Sequence, residues 1–196
     1  ARAAWACASM KDCRIEGVNV SITAMNGAGA EVTGIDLRSM TAAEFAEVQG
    51  AFANYGLLYF RDQSLTEEDH IAFAERWGPI NVNRFFAAHP EYPQIAMVSK
   101  EPDQTANIGG GWHTDHSYDE EPALGSILVA RELPPVGGDT KFASMYAAYE
   151  SLSDGLKKTL EGMRAVHSAK HVFGHEGVHK RAEVTTDRVG NADVAD

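Results

Sequence analysis

Gly109-Gly-Gly-Trp-His-Thr-Asp115, followed by Pro122-Ala-Leu-Gly-Ser-Ile-Leu-Val-Ala-Arg131, is the stretch on which the reading of this chain turns. Side chains two apart on a strand project from the same side, so His113 and Asp115 can aim an imidazole nitrogen and a carboxylate oxygen at one point. Those are two of the three protein ligands of the facial triad that holds non-haem Fe(II) and leaves coordination positions open. By spacing alone the same residues also suit a surface turn, because His-x-Asp is a short pattern. Trp112 and the three glycines add context, since glycine lets a backbone come close to a ligand.

Around this stretch the texture is that of strands. Gln94–Ser99, Gly111–Asp115 and Leu124–Arg131 are short strand-like pieces separated by turns bearing Pro or Gly. Such a run favours a β-sandwich or jelly roll over a doubly wound sheet. The N-terminal third instead alternates strand and helix. Glu31–Leu37 suits a short strand, and Thr41-Ala-Ala-Glu44 has the form of a capping box. The helix it opens carries Phe45, Val48, Phe52 and Tyr55 on one face and stops at Gly56. Leu57–Phe60 comes next as a buried strand, and Thr66-Glu-Glu-Asp69 caps a second helix with Ile71, Ala74 and Trp77 turned inward, ended by Gly78-Pro79. Ser144 and Ser153 can cap two more, the latter with Leu156, Leu160 and Met163 on one side. Beyond Phe173 the apolar periodicity stops and the tail reads as a solvated loop.

Composition sets the outer limits. The chain has 196 residues, 44 % of them hydrophobic and 23 % charged, which suits one globular domain with a sizeable core. A formal charge of -11 disfavours phosphate backbones and anionic membranes as partners, so a small molecule is expected and nucleic acid is not. No apolar run approaches the roughly 18 residues of a membrane span. Ala1–Ser9 lacks the continuous apolar core of a signal peptide, and Met10 is a candidate start. Cys7 and Cys13 form neither a zinc pattern nor a disulfide framework and read as reduced thiols of a cytoplasmic protein.

Trp112-His-Thr-Asp115, Pro122–Pro134, Gly137-Gly-Asp-Thr140 and Ala147-Ala-Tyr-Glu-Ser-Leu-Ser153 together resemble the taurine/2,4-D dioxygenase family of Fe(II)- and 2-oxoglutarate-dependent oxygenases. Upstream, Gly29–Leu37, Phe60-Arg-Asp-Gln63 and Trp77-Gly-Pro-Ile80 are similar to that family's N-terminal part, in the same order. The resemblance implies a mainly β fold with flanking helices, a double-stranded β-helix or jelly roll, incomplete here at its C-terminus. It implies an N-terminal extension and first strand over residues 1–26 and a single dioxygenase domain over 27–196.

Carried over position by position, the resemblance makes His113 and Asp115 iron ligands and Thr140 a hydroxyl donor to the distal carboxylate of 2-oxoglutarate. It implies hydroxylation of a small organic substrate with O2, releasing succinate and CO2, and Asp115 speaks against a related halogenase. The family's second His ligand and its 2-oxoglutarate-pairing Arg are not matched. His116, adjacent to Asp115, would point to the opposite face of a strand. His167 is a further unmatched histidine. His171, His175 and His179 are spaced by four, but Gly174 and Gly177 interrupt a helix there. Asn83 and Phe86 stand where taurine-recognising members place a His and a Tyr, which removes charge-assisted hydrogen bonds to a sulfonate. Another small acid or a bulkier apolar molecule then becomes the expected substrate. The alternatives are an inactive or truncated jelly-roll module that binds a ligand or partner, and a Zn or Ni binder using the C-terminal histidines. Pairing into a homo-oligomer fits the family.

Overall fold

Two glycines with left-handed backbone, Gly27 (φ 100°) and Gly29 (φ 94°), turn the chain between strand β1 (Ser21–Ala24) and strand β2 (Ala30–Thr33). The two pair antiparallel, Ile22 opposite Val32. Gly29 is needed for a second reason, since a Cβ there would lie 3.0 Å from the Leu57 side chain and carbonyl. In the computed structural model, which describes residues 20–83, 85–102 and 109–173, helix α1 (Ala42–Tyr55) then crosses to strand β3 (Leu58–Phe60). β3 runs parallel to β2, with Ala30 opposite Leu58, and the sheet order is β1-β2-β3.

Local chemistry explains α1 at both ends. Thr41 Oγ1 accepts from the Glu44 N–H (3.2 Å) while Glu44 Oε2 accepts from the Thr41 N–H (2.8 Å), the reciprocal box read from the sequence. At the far end Gly56 adopts φ 70° and donates its N–H to the Phe52 carbonyl (2.8 Å). Val48 and Ala51 are buried on the inner face, with Val32 and Ala30 of β2 buried as well. The expected Glu31–Leu37 strand ends earlier, because Gly34 (φ 83°) breaks it. The residues after it form a turn in which the Arg38 guanidinium hydrogen-bonds Asp36 and lowers its carboxyl to about 2.

Gln63, a member of one of the family-like motifs, has a structural task. Its Oε1 accepts from the Leu37 N–H (3.0 Å), and its Nε2 donates to the carbonyls of Ile35 (3.2 Å) and Arg61 (3.0 Å). Arg61 in turn reaches Glu31 at 2.7 Å.

The chain divides into two units, one formed by residues up to Ser64 with Pro134–Ser153, the other by Leu65–Leu133 with residues from Asp154 onward. In the second, helix α2 (Glu67–Glu75) carries the predicted box, here between Thr66 and Asp69. Ile71, Ala74 and Trp77 are half-buried, and the deepest residue is Phe73, with Trp77 edge-on at 6.2 Å. Helix α3 (Met145–Glu150) of the first unit is capped by Ser144 as expected. Helix α4 (Asp154–Leu160) is shorter than predicted: Gly162 (φ 80°) lies just past its end, Met163 lies beyond it, and Leu156 and Leu160 are exposed. Helix α5 (Lys170–Phe173) holds His171. His175 and His179, the tail beyond Phe173, and Cys7 and Cys13 lie outside the described residues.

The strand expectation for residues 94–131 is corrected. Among the described residues this region shows one isolated bridge, Ala88 with Ala96, supported by Met97 N–H to Ala87 carbonyl and His89 N–H to Ile95 carbonyl, each 2.8 Å. Gly111–Asp115 and Leu124–Arg131 form no strand with any described segment, because a strand exists only with a hydrogen-bonded neighbour. Side chains hold the second piece to α2 instead. His70 Nε2 donates to the Ile127 carbonyl (3.1 Å), and Arg131 bonds the Leu65 carbonyl and the Glu67 carboxylate (3.0 Å).

Candidate metal centre

The imidazole of His113 is fixed from its own loop. Its Nδ1 lies 2.7 Å from the Gly111 carbonyl, which can only accept, so Nδ1 carries a proton, and in the neutral ring the lone pair is left on Nε2. That nitrogen faces Asp115 Oδ1 at 3.3 Å. Two acceptors held so close repel unless a proton or a cation lies between them. With metal–ligand bonds of about 2.1 Å, neighbouring ligands of an octahedral ion are about 3.0 Å apart, so this spacing fits a shared divalent ion. A backbone carbonyl that holds the second ring nitrogen is the usual outer support of a metal-binding histidine.

His113 and Asp115 therefore do meet, although the segment is not a strand. The side chains are 54 % and 65 % exposed, which leaves an ion between them open to further ligands. Gly109 explains part of the glycine run: its backbone has φ 69°, and a Cβ there would come within 3.2 Å of His113 Cε1. Among the described residues no third His, Cys, Asp or Glu joins the pair.

The residues just after the pair form a closed turn that sequence reasoning missed. His116 has φ 55°, a left-handed value uncommon outside glycine. Its Nδ1 donates to Asp119 Oδ2 at 2.7 Å while the Asp119 N–H donates back to the His116 carbonyl at 3.0 Å. Tyr118 lies tilted against the His116 ring at 5.9 Å and edge-on to buried Phe85, also at 5.9 Å. His116 is thus a structural donor and not a strand residue pointing away. The i,i+3 spacing of His116 and Asp119 was visible, but the positive φ that joins them has no signature in a histidine. With Asn81, Val82 and Glu121 they line an open cavity of about 250 Å3.

Asn83, Phe86 and Thr140 were the remaining candidates for binding substrate and cosubstrate. Asn83 Oδ1 accepts from the N–H groups of Phe85 (2.8 Å) and Phe86 (3.1 Å), so this oxygen shapes the local turn. Phe86 is half-buried beside it. Thr140 is exposed in the first unit, after Gly137 (φ 81°) and Gly138 (φ 73°). His167 is exposed.

Comparison with known proteins shows which family the chain is similar to. The chain is 36 % identical over 154 residues to the (S)-phenoxypropionate/alpha-ketoglutarate-dioxygenase of Sphingobium herbicidovorans, covering 76 % of this chain and 54 % of that protein. The structure superposes on a taurine dioxygenase from Burkholderia xenovorans with a TM-score of 0.62 at 28 % identity, over 76 % of this chain and 53 % of the other. It also superposes on AAD-2, solved in complex with Mn(II) and N-oxalylglycine, with a TM-score of 0.54 at 30 % identity, over 72 % and 50 %. The chain thus spans about half the length of the relatives it matches. No described helix is long and apolar enough to cross a membrane. A family model that matches residues 21–194 places the chain in the taurine catabolism dioxygenase TauD, TfdA family.

Proposed function

We propose that this protein is an Fe(II)- and 2-oxoglutarate-dependent dioxygenase that uses O2 to hydroxylate a small organic substrate, releasing succinate and CO2. The observation that carries the reading is the approach of His113 Nε2 to within 3.3 Å of Asp115 Oδ1, with Nδ1 already committed to Gly111. When bound, iron with 2-oxoglutarate supplies the O2 activation that amino acid side chains lack. This chain's share is to present two preset ligands at an exposed position where cosubstrate and O2 can reach the ion.

Thr140 is the residue we assign to the distal carboxylate of 2-oxoglutarate, as a hydroxyl donor that follows two glycines of positive φ, Gly137 and Gly138. Asn83 and Phe86 we place on the substrate side. The Asn83 oxygen is spent on backbone, leaving its amide N–H groups, and Phe86 offers an apolar ring. That pair suits an aromatic organic acid better than an alkyl sulfonate, in keeping with the phenoxypropionate named for one relative. The jelly roll, with residues 27–196 belonging to a single domain of that type, self-association, and a cytoplasmic location belong to the same reading.

Anaerobic titration of Fe(II) with 2-oxoglutarate tests it. The expected result is a visible charge-transfer band that Asp115→Ala abolishes. A folded protein that gives no band, or gives one indifferent to Asp115, would refute the reading.

A further inference from the structure

The His113–Asp115 pair lies on irregular backbone, so no sheet ladder fixes its geometry. On the N-terminal side the Gly111 carbonyl sets the His113 ring. On the C-terminal side the carboxylate of Asp115 is exposed, and the chain passes directly into the closed turn of His116–Asp119. The φ of His116 is the rotation that orients the peptide joining it to Asp115. A left-handed φ at a residue with a Cβ persists only where surrounding contacts over-determine it. Here they are the Nδ1–H to Asp119 bond (2.7 Å), the returning backbone bond (3.0 Å), and the Tyr118 ring that seats the turn against buried Phe85.

We propose that the His116–Asp119 turn is a positioning device for the metal ligands: Asp119, acting through His116, holds the Asp115 peptide in the orientation that brings Oδ1 to His113 Nε2. This rests on the reading of His113 and Asp115 as metal ligands. His116 and Asp119 are positioning residues and touch no metal themselves. Outer residues that orient a ligand typically contribute about 10- to 100-fold to metal affinity.

The test is Mn(II) affinity of the full chain, read by loss of the free-ion EPR signal, with circular dichroism recorded on each variant. Asp119→Ala removes the acceptor and is expected to weaken Mn(II) binding by about 10-fold or more. Asp119→Asn keeps an acceptor oxygen for the Nδ1–H and should restore affinity to near the starting value, a rescue that general loosening of the loop would not give. His116→Gly keeps the left-handed backbone without strain but loses the anchor, and should fall with Asp119→Ala. It also carries the test if Asp119→Ala does not fold. Unchanged affinity in folded Asp119→Ala or His116→Gly, while Asp115→Ala abolishes binding, would overturn the positioning role and leave the metal site standing. No Mn(II) binding by the unsubstituted chain would overturn the metal reading itself and this inference with it.

Discussion

At Gly109 a single missing Cβ decides how close the backbone can come to the His113 ring. Adding one places it 3.2 Å from Cε1, and the φ of 69° is already one that alanine tolerates poorly. Gly109→Ala should therefore cost about 1 kcal/mol of stability and also shift the imidazole away from Asp115, weakening Mn(II) binding. Binding isotherms beside thermal melts would check both effects, and a variant with full affinity would show that the ring is set by Gly111 alone. His70 makes a different kind of statement. Burial lowers its pKa from the usual 6.5 and outweighs the bond to the Ile127 carbonyl, which acts the other way. Since the folded pKa lies below the unfolded one, the unfolded chain takes up the proton first. Stability is thus full above about pH 6.5 and falls as the solution is acidified through the folded value. Urea midpoints at pH 7.5 and 5.5 should separate more for the unsubstituted protein than for His70→Gln, and equal separations would remove His70 from the account.

At the scale of elements, the well-formed pieces are those whose stabilising contacts are local. Both capping boxes close within four residues, so α1 and α2 start where Thr41 and Thr66 say they should. Thr41→Ala and Thr66→Ala are each expected to cost about 1 kcal/mol in chemical denaturation, and a loss below a few tenths at either would mean the cap is idle there. Strands were less legible for the same physical reason inverted. The strand-like pieces of 94–131 state a preference, but a ladder needs a neighbour distant in the chain, which these residues do not name. Helix α4 was over-extended because Leu156, Leu160 and Met163 keep helical spacing through Gly162, where the backbone does not. At the site, the i,i+2 spacing pointed to His113 and Asp115, whose side chains approach at 3.3 Å although the segment is not the strand that spacing assumes. It could not find His116 and Asp119, whose pairing depends on a left-handed turn at a non-glycine residue.

For the molecule as a whole, Leu124–Arg131 carries the main consequence. Ile127 and Val129 are half-buried, on the stretch tied to α2 through His70, whereas Leu128 is 74 % exposed and Leu124 is exposed as well. A segment apolar on both faces is one that parallel or sandwich sheets bury on both sides. Here one face meets water, and no described neighbour takes up its backbone groups in a ladder. An exposed apolar segment outside a ladder is a template for pairing with another chain. The chain is therefore expected to associate in a concentration-dependent way, seen as rising weight-average mass in sedimentation velocity. Leu128→Lys places a charge on the exposed face and should move the distribution toward monomer without changing the far-ultraviolet spectrum, since Leu128 contributes little buried area. Two outcomes would defeat this argument: a parent chain that stays monomeric at high micromolar concentration, or a Leu128→Lys variant that associates as strongly as its parent.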